Sequence, residues 1–276
     1  MIIDFHTHLF PDKIASKAIA KLAEKSGSVP HTDGTVLGLL KQMQKGDCTI
    51  AVALPVVTDP AQFDSVNRFA ATVNQDCRFK ERKIISFGGI HPRNEDIAGK
   101  MRFLKESGFL GVKIHPDYQE AYIDDDGYVA ILESAKELDM IVVTHAGVDS
   151  GYKDQPVRCT PERVKNVIER VGHTKFVLAH LGGHRYVEQV YDLLAGLDVY
   201  FDTSYVLPEV SEADFKRILN KHGEDKILFA TDCPWQDIQK EKDRILSYKL
   251  EKETEEKILW RNAADLLGIS GENYEL

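Results

Sequence analysis

Eight short apolar runs recur along the chain, separated by longer amphipathic stretches, and this alternation limits the folds open to it. The runs are Ile2–Phe5, Thr49–Leu54, Ile84–Ile90, Leu110–Ile114, Met140–Thr144, Lys175–Ala179, Val199–Phe201 and Ile227–Ala230. They are rich in Val, Ile, Leu and Phe without polar alternation, as expected of parallel strands buried on both faces. Between them, Glu133–Leu138, Glu162–Val171, Arg185–Leu194 and Ala213–Lys221 place apolar residues three and four apart, which predicts helices with one buried stripe. Thr160-Pro161-Glu162 reads as an N-cap followed by proline at the first helical position. Leu250 to Leu267 predicts a closing helical segment, with Gly268 as its stop. The pattern predicts an α/β fold, a distorted (β/α)8 TIM barrel. A doubly wound sheet is the competing topology, but it more often carries a glycine-rich phosphate loop after its first strand. Here the first strand ends in histidines. The nearest thing to a linker, Ser26-Gly27-Ser28, is short enough for an ordinary loop, so residues 1–276 are read as a single domain.

In such a barrel the active site lies at the C-terminal ends of the strands. Those ends carry His6, His8, His91, His115, His145, His180, Asp202 and Asp232. With His184, seven of the ten histidines fall there, whereas structural histidines should scatter. Residues two apart on a strand share a side, so His6 and His8 present two imidazoles to one point, which suits zinc. The competing reading is a strand-end pair bonded to loop backbone. His145 is a third candidate ligand, with Gly147 permitting a tight turn; otherwise it is a buried donor to a carbonyl. Asp232 can ligate a metal and accept a proton from metal-bound water, whose pKa falls to roughly 7; otherwise it caps a turn. Gly89-Ile90-His91-Pro92 and Ile114-His115-Pro116 repeat one strand-end chemistry, since proline there ends sheet pairing.

The order His-x-His after the first strand, His after the fifth, His after the sixth and Asp after the eighth resembles the amidohydrolase superfamily. Ile3-Asp4-Phe5-His6-Thr7-His8, Thr144-His145-Ala146-Gly147, Ala179-His180-Leu181-Gly182-Gly183, Ala230-Thr231-Asp232-Cys233-Pro234-Trp235 and Arg261-Asn262-Ala263-Ala264-Asp265-Leu266-Leu267-Gly268 resemble its amidohydrolase-related (family 2) branch. The resemblance covers essentially the whole chain. It implies His6, His8, His145 and Asp232 as metal ligands, and Asp232 and His180 as the catalytic pair. His180 would polarise a carbonyl or orient water, or hold a second metal as in binuclear members. Lys113, in Gly111-Val112-Lys113-Ile114-His115-Pro116, resembles the carboxylated lysine that bridges two metals in dihydroorotase-like enzymes. Otherwise it is a buried ammonium paired with an acid, or one that binds an acidic substrate. His91, His115 and Arg158 are substrate-contact candidates. Arg158 lies in the polar segment Asp149 to Thr160, which could cover the mouth as a lid. An arginine there could clamp a carboxylate. Asp202 either orients a ligand histidine or caps a loop.

A formal net charge of -9 argues mildly against nucleic acid as a partner. No run approaches the roughly 20 apolar residues of a membrane span. Cys48, Cys77, Cys159 and Cys233 form no Cys-x-x-Cys pair, so a thiolate site or redox motif is not expected. Cys233 is read as packing. The chain therefore reads as a cytoplasmic, zinc-dependent hydrolase, with one or two metals, acting on an amide, lactone or ester of a small molecule. A metal-dependent decarboxylase or hydratase of an aromatic-derived or unsaturated carboxylic acid is the alternative. A non-catalytic metal-binding barrel is the third reading. Self-association into a homo-oligomer is left open.

Overall fold

The computed structural model describes residues 1–76 and 81–269, so Cys77 lies outside the described residues. The strands are β1 Ile3–Thr7, β2 Ile50–Ala53, β3 Lys83–Ser86, β4 Gly88–Gly89, β5 Gly111–Ile114, β6 Ile141–Thr144, β7 Phe176–Leu178, β8 Tyr200–Asp202 and β9 Ile227–Leu228. Adjacent strands pair in parallel in chain order, as two sheets, β1-β2-β3 and β4 to β9. β3 and β4 are one predicted strand broken at Phe87, so eight barrel strands remain. Helix α3, Phe63–Asn74, supplies the missing ladder bonds from its side chains. The Asn67 amide bonds both backbone groups of Gly89, and Asn74 does the same for Ser86.

The ring closes between the last strand and the first. Phe5 N donates to Phe229 O at 2.9 Å, and Asp232 N donates to His6 O at 2.8 Å. The buried Asp4 carboxylate staples this seam by accepting from Thr231 N, Thr231 Oγ1 and His6 N. Inside, Ile3, Phe5, Val52, Phe87, Val143, Val177 and Leu228 pack together. The closing helix, Asn262–Leu267, joins that inner core through Ala263, Leu266 and Leu267. Asn262 anchors it by donating to Glu224 O and Ile227 O, and Gly268 ends it in the left-handed region. This closing segment starts at Lys252 rather than Leu250 and is not one α-helix: Lys257–Arg261 forms a π turn between two short helices.

Among the other helices, Pro161–Val171 begins as predicted, with Thr160 capping Arg163 N. The early helices α1, Asp12–Ser26, and α2, Val36–Gly46, were not predicted, although Ala15, Ala18, Ile19 and Leu22 of the first and Val36, Leu39, Leu40 and Met43 of the second fall at helical spacing; Gly27 ends the first with φ 74°. No described helix is long and apolar enough to cross a membrane. Cys48, Cys159 and Cys233 are buried and unpaired. Burial holds the Cys233 thiol well above its ordinary range.

The helix Glu212–His222 ends on a histidine that stacks on Phe201 at 3.8 Å and accepts from Gly196 N. Burial pushes the His222 pKa from 6.5 to about 4. The folded state therefore prefers neutral His222. Its full stability is present above pH 6.5 and is lost as pH falls from there toward 4. Between pH 7.5 and 5 this one group removes about 2 kcal/mol. His222→Asn keeps an acceptor for Gly196, so its urea-unfolding stability should fall by about 2 kcal/mol less than the parent's over that interval. Equal losses in both proteins would reject the assignment.

Candidate metal centre

The C-terminal ends of β1, β5, β6, β7 and β8, with the turn after β9, converge on one cluster of side chains. His6 lies on β1, and His8 just beyond it. His6 Nε2 and His8 Nε2 are 3.1 Å apart. Asp232 Oδ1 lies 2.9 Å from the second and 3.4 Å from the first. A tetrahedral zinc with bonds of about 2.0–2.1 Å spaces its donors by about 3.3 Å, so these three atoms fit one divalent cation. The Asp232 and His8 side chains are 11% and 19% exposed, which leaves that point open to a small molecule.

Asp232 stands at φ 64° and His180 at φ 60°, in the left-handed region that costs a non-glycine residue about 1 kcal/mol or more. The surrounding bonds hold both turns: Asp232 N on His6 O, and His180 N on Asp202 Oδ1. Burial raises the Asp232 carboxyl pKa, but the effects led by the His8 hydrogen bond outweigh it. The net result lies below the ordinary value.

Hydrogen-bond partners sort the histidines by which ring nitrogen keeps its lone pair. A carbonyl or carboxylate can only accept, so a nitrogen facing one carries the proton. His8 Nδ1 faces Leu54 O at 2.9 Å, His6 Nδ1 faces Asp202 Oδ2 at 2.8 Å, and His180 Nδ1 faces Ser204 O at 3.0 Å. All three therefore offer Nε2 as a lone-pair donor. Asp202 thus orients a candidate ligand, as one of its two sequence readings held. Ser204 Oγ sits between His6 and His180, at 3.1 and 3.0 Å from their Nδ1 atoms. His115 and His91 are the opposite case. Their Nδ1 atoms accept from Tyr118 N and Arg93 N, so each presents an Nε2–H donor. The two loops also match in using Gln119 and Asn94 to accept from the backbone of those histidines. The repeated His-Pro motif is thus one turn chemistry used twice.

His145 stands beside the first cluster rather than within it. Its Nδ1 lies 2.9 Å from His180 Nε2, and its ring stacks on His115 at 4.3 Å. With His115 and Asp149 it forms a second set of metal-type donors, in which His115 Nε2 and Asp149 Oδ2 are 3.3 Å apart. His115 is an N–H donor there, so that set does not hold a cation as built. Burial is the main reason the His6, His115, His145 and His180 rings are held below their ordinary pKa, hence neutral.

Lys113, on β5, is fully buried, with Nζ 3.4 Å from His6 Nε2. No carboxylate among the described residues hydrogen-bonds to it. Burial lowers its pKa to about 8, and Asp202 and Asp232 act on it through space. Arg158 is engaged by Asp117, which accepts from its backbone N at 3.2 Å and lies 3.5 Å from its guanidinium. The segment from Asp149 to Thr160 opens with a 3-10 turn, Ser150–Tyr152, and Lys25 of α1 sits over the Tyr152 ring. Ser204, Asp117 and Asp4 were not singled out from the sequence. Each lies within two residues of a strand-end histidine or aspartate that was, and that position was the available signal.

The amidohydrolase (family 2) model matches residues 3–269, and the chain belongs to that family. No curated protein sequence matches it. An uncharacterised TIM-barrel protein from Bordetella bronchiseptica is similar at a TM-score of 0.74 and 16% identity, covering 97% of this chain and 98% of that one. A dihydroxybenzoic acid decarboxylase from a Polaromonas species, solved with manganese and the inhibitor 2-nitroresorcinol, gives 0.70 at 16% identity, covering 100% and 99%. A 5-carboxyvanillate decarboxylase from Sphingomonas paucimobilis gives 0.67 at 14% identity, covering 98% and 99%. These likenesses are to the barrel fold alone.

Proposed function

We propose that this amidohydrolase-family chain is a metal-dependent, non-oxidative decarboxylase of a small aromatic-derived or unsaturated carboxylic acid. The observation that carries the reading is Lys113. A buried ammonium without a hydrogen-bonded counter-ion is expensive, and this one lies 3.4 Å from a nitrogen of the candidate metal triad. A divalent cation held by two neutral imidazoles and one carboxylate keeps a net positive charge. Lys113 adds another, so the pocket favours a ligand that brings negative oxygens. The two decarboxylases that share the fold act on such acids, by their names.

His6, His8 and Asp232 would hold the metal, with His145 as the next donor. When bound, the metal would act as a Lewis acid on the substrate's oxygens. Zinc is the ion we expect from this donor set, and manganese is the one present in the Polaromonas structure. Lys113 takes the substrate carboxylate, and His115 Nε2–H and Arg158 orient the rest of the molecule. His91, turned into its own loop, is assigned a peripheral contact. Loss of CO2 leaves an electron pair on carbon, and a proton must replace it. We assign that transfer to His180 and Asp232: the Nε2 lone pair or the carboxylate would first take a proton from water and then deliver it to that carbon, and the hydroxide left over would combine with the released CO2 as bicarbonate. The same proton abstraction from water also serves hydrolysis, which keeps a lactone or amide as the second reading. We propose a cytoplasmic, single-domain enzyme acting on a small molecule rather than on nucleic acid or a membrane.

Protein purified without chelator should carry about one metal per chain by elemental analysis and release CO2 from members of a panel of hydroxybenzoates and unsaturated diacids. Turnover of lactones or amides, with no CO2 from any acid, would reverse the order of the two readings.

A further inference from the structure

We propose that the segment Phe10–Gly34 is a strap that closes over the strand-end cluster and must lift for a ligand to enter. The inference rests on the reading above only in taking that cluster as the place a ligand has to reach. The segment leaves β1 just after His8 and is tied at its base. Phe10 N donates to Gly34 O at 2.8 Å, and His31 N donates to Pro234 O at 2.7 Å, close to Asp232. Between these ties runs α1, whose 15 residues make a rod about 22 Å long. The element it packs against most is the 3-10 turn Ser150–Tyr152, in the loop after β6. With β3 and β4 taken as one strand, β1 is the first and β6 the fifth of eight, so they stand on opposite sides of the ring. Helix α1 therefore crosses the face on which the histidines lie.

Two contacts hold the far end down. Lys25 Nζ sits 3.2 Å from the centre of the Tyr152 ring, and Ser28 Oγ lies 3.2 Å from Tyr205 Oη. Both aromatics lead directly to the site. Tyr152 packs on Tyr118, Tyr118 stacks on His115 at 3.8 Å, and His115 stacks on His145. Tyr205 stands edge-on to His180 at 6.3 Å. Under this cover His115, His145 and His180 are 6%, 5% and 5% exposed. A ring-sized ligand that meets the metal point beside His8 and Asp232 does not reach those three while the strap is down. The strap is free to lift because it is not part of the barrel's core. Ala15 and Ile19, the buried residues of α1, belong to neither apolar cluster of the barrel. Ile19 packs on the strap's own base, filling the space where a side chain at Gly34 would stand. Lifting α1 breaks the two pins and leaves the core intact, so it costs less than global unfolding. Down, the strap keeps bulk water from the reacting atoms; lifted, it admits substrate.

The test uses full-length, metal-free protein and two measurements that need no substrate. In native-state hydrogen exchange, the amides of α1 should exchange together while those of β5, β6 and β7 stay protected. In labelling with diethyl pyrocarbonate read by mass spectrometry, His115, His145 and His180 should react slowly, with the exposed His173 as internal reference. The double variant Lys25→Met, Tyr205→Phe removes one cation–π contact and one hydrogen bond. Each loss should raise the open population about threefold to fivefold. Exchange of α1 and labelling of the three histidines should therefore both quicken by about tenfold or more, with His173 unchanged. Amides of α1 as protected as those of the strands, or variant rates equal to wild type, would overturn the proposal. If the double variant does not fold, the wild-type exchange pattern alone decides. Protein that shows the opening but binds neither zinc nor manganese would sink the functional reading and leave the strap standing.

Discussion

Asp232→Asn should lower kcat/KM by about a thousand-fold or more while the barrel stays folded. The reason lies in what the change keeps and what it removes. The backbone bond from residue 232 to His6 O is untouched. Asparagine tolerates the left-handed φ of 64° almost as well as aspartate, so the turn after β9 survives. The anionic oxygen 2.9 Å from His8 Nε2 and 3.4 Å from His6 Nε2 is lost. With it go the only charge among the three proposed first ligands and one of the two groups assigned to proton transfer. A thousand-fold corresponds to about 4 kcal/mol of transition-state stabilisation. Steady-state kinetics on the best acid from the panel, with metal content and circular dichroism in parallel, would check it. Activity within tenfold of wild type in a metal-loaded variant would remove Asp232 from the mechanism.

Lys113→Met should separate binding from folding. Methionine matches the length of the lysine stem without its charge. The substrate carboxylate loses a charge-assisted bond, so kcat/KM should fall by about a hundred-fold, mostly through KM. Stability should move the other way. Replacing a buried ammonium that has no hydrogen-bonded carboxylate by an apolar group of similar volume is neutral or stabilising, so the melting temperature should hold or rise. Unfolding of the variant would instead assign Lys113 to structure. Activity that depends on added bicarbonate in the parent, together with two metals per chain, would make Lys113 a carbamate bridge and favour hydrolysis.

The barrel was legible because its strands are apolar on both faces and each is followed by a helix; little else produces that pattern eight times. The exceptions have local causes. The third strand breaks at Phe87 because Asn67 and Asn74 of a neighbouring helix substitute for ladder bonds, and nothing in the strand's own sequence reports that. The closing helix deviates where Lys257–Arg261 widens into a π turn, a geometry that composition does not encode.

The site divides in the same way. That His6, His8, His115, His145, His180, Asp202 and Asp232 share one mouth followed from the sequence alone, because each stands at the C-terminal end of a strand and the barrel brings those ends together. Which of them turns a lone pair to that point was not in the sequence. It is decided by the acceptor behind each ring: Leu54 O for His8, Asp202 for His6 and Ser204 O for His180. For His6 that acceptor is 196 residues away along the chain. Local sequence sets where a strand ends and which side chain stands there. A proton's place on an imidazole is set by its nearest acceptor in space, and only the closed ring supplies it.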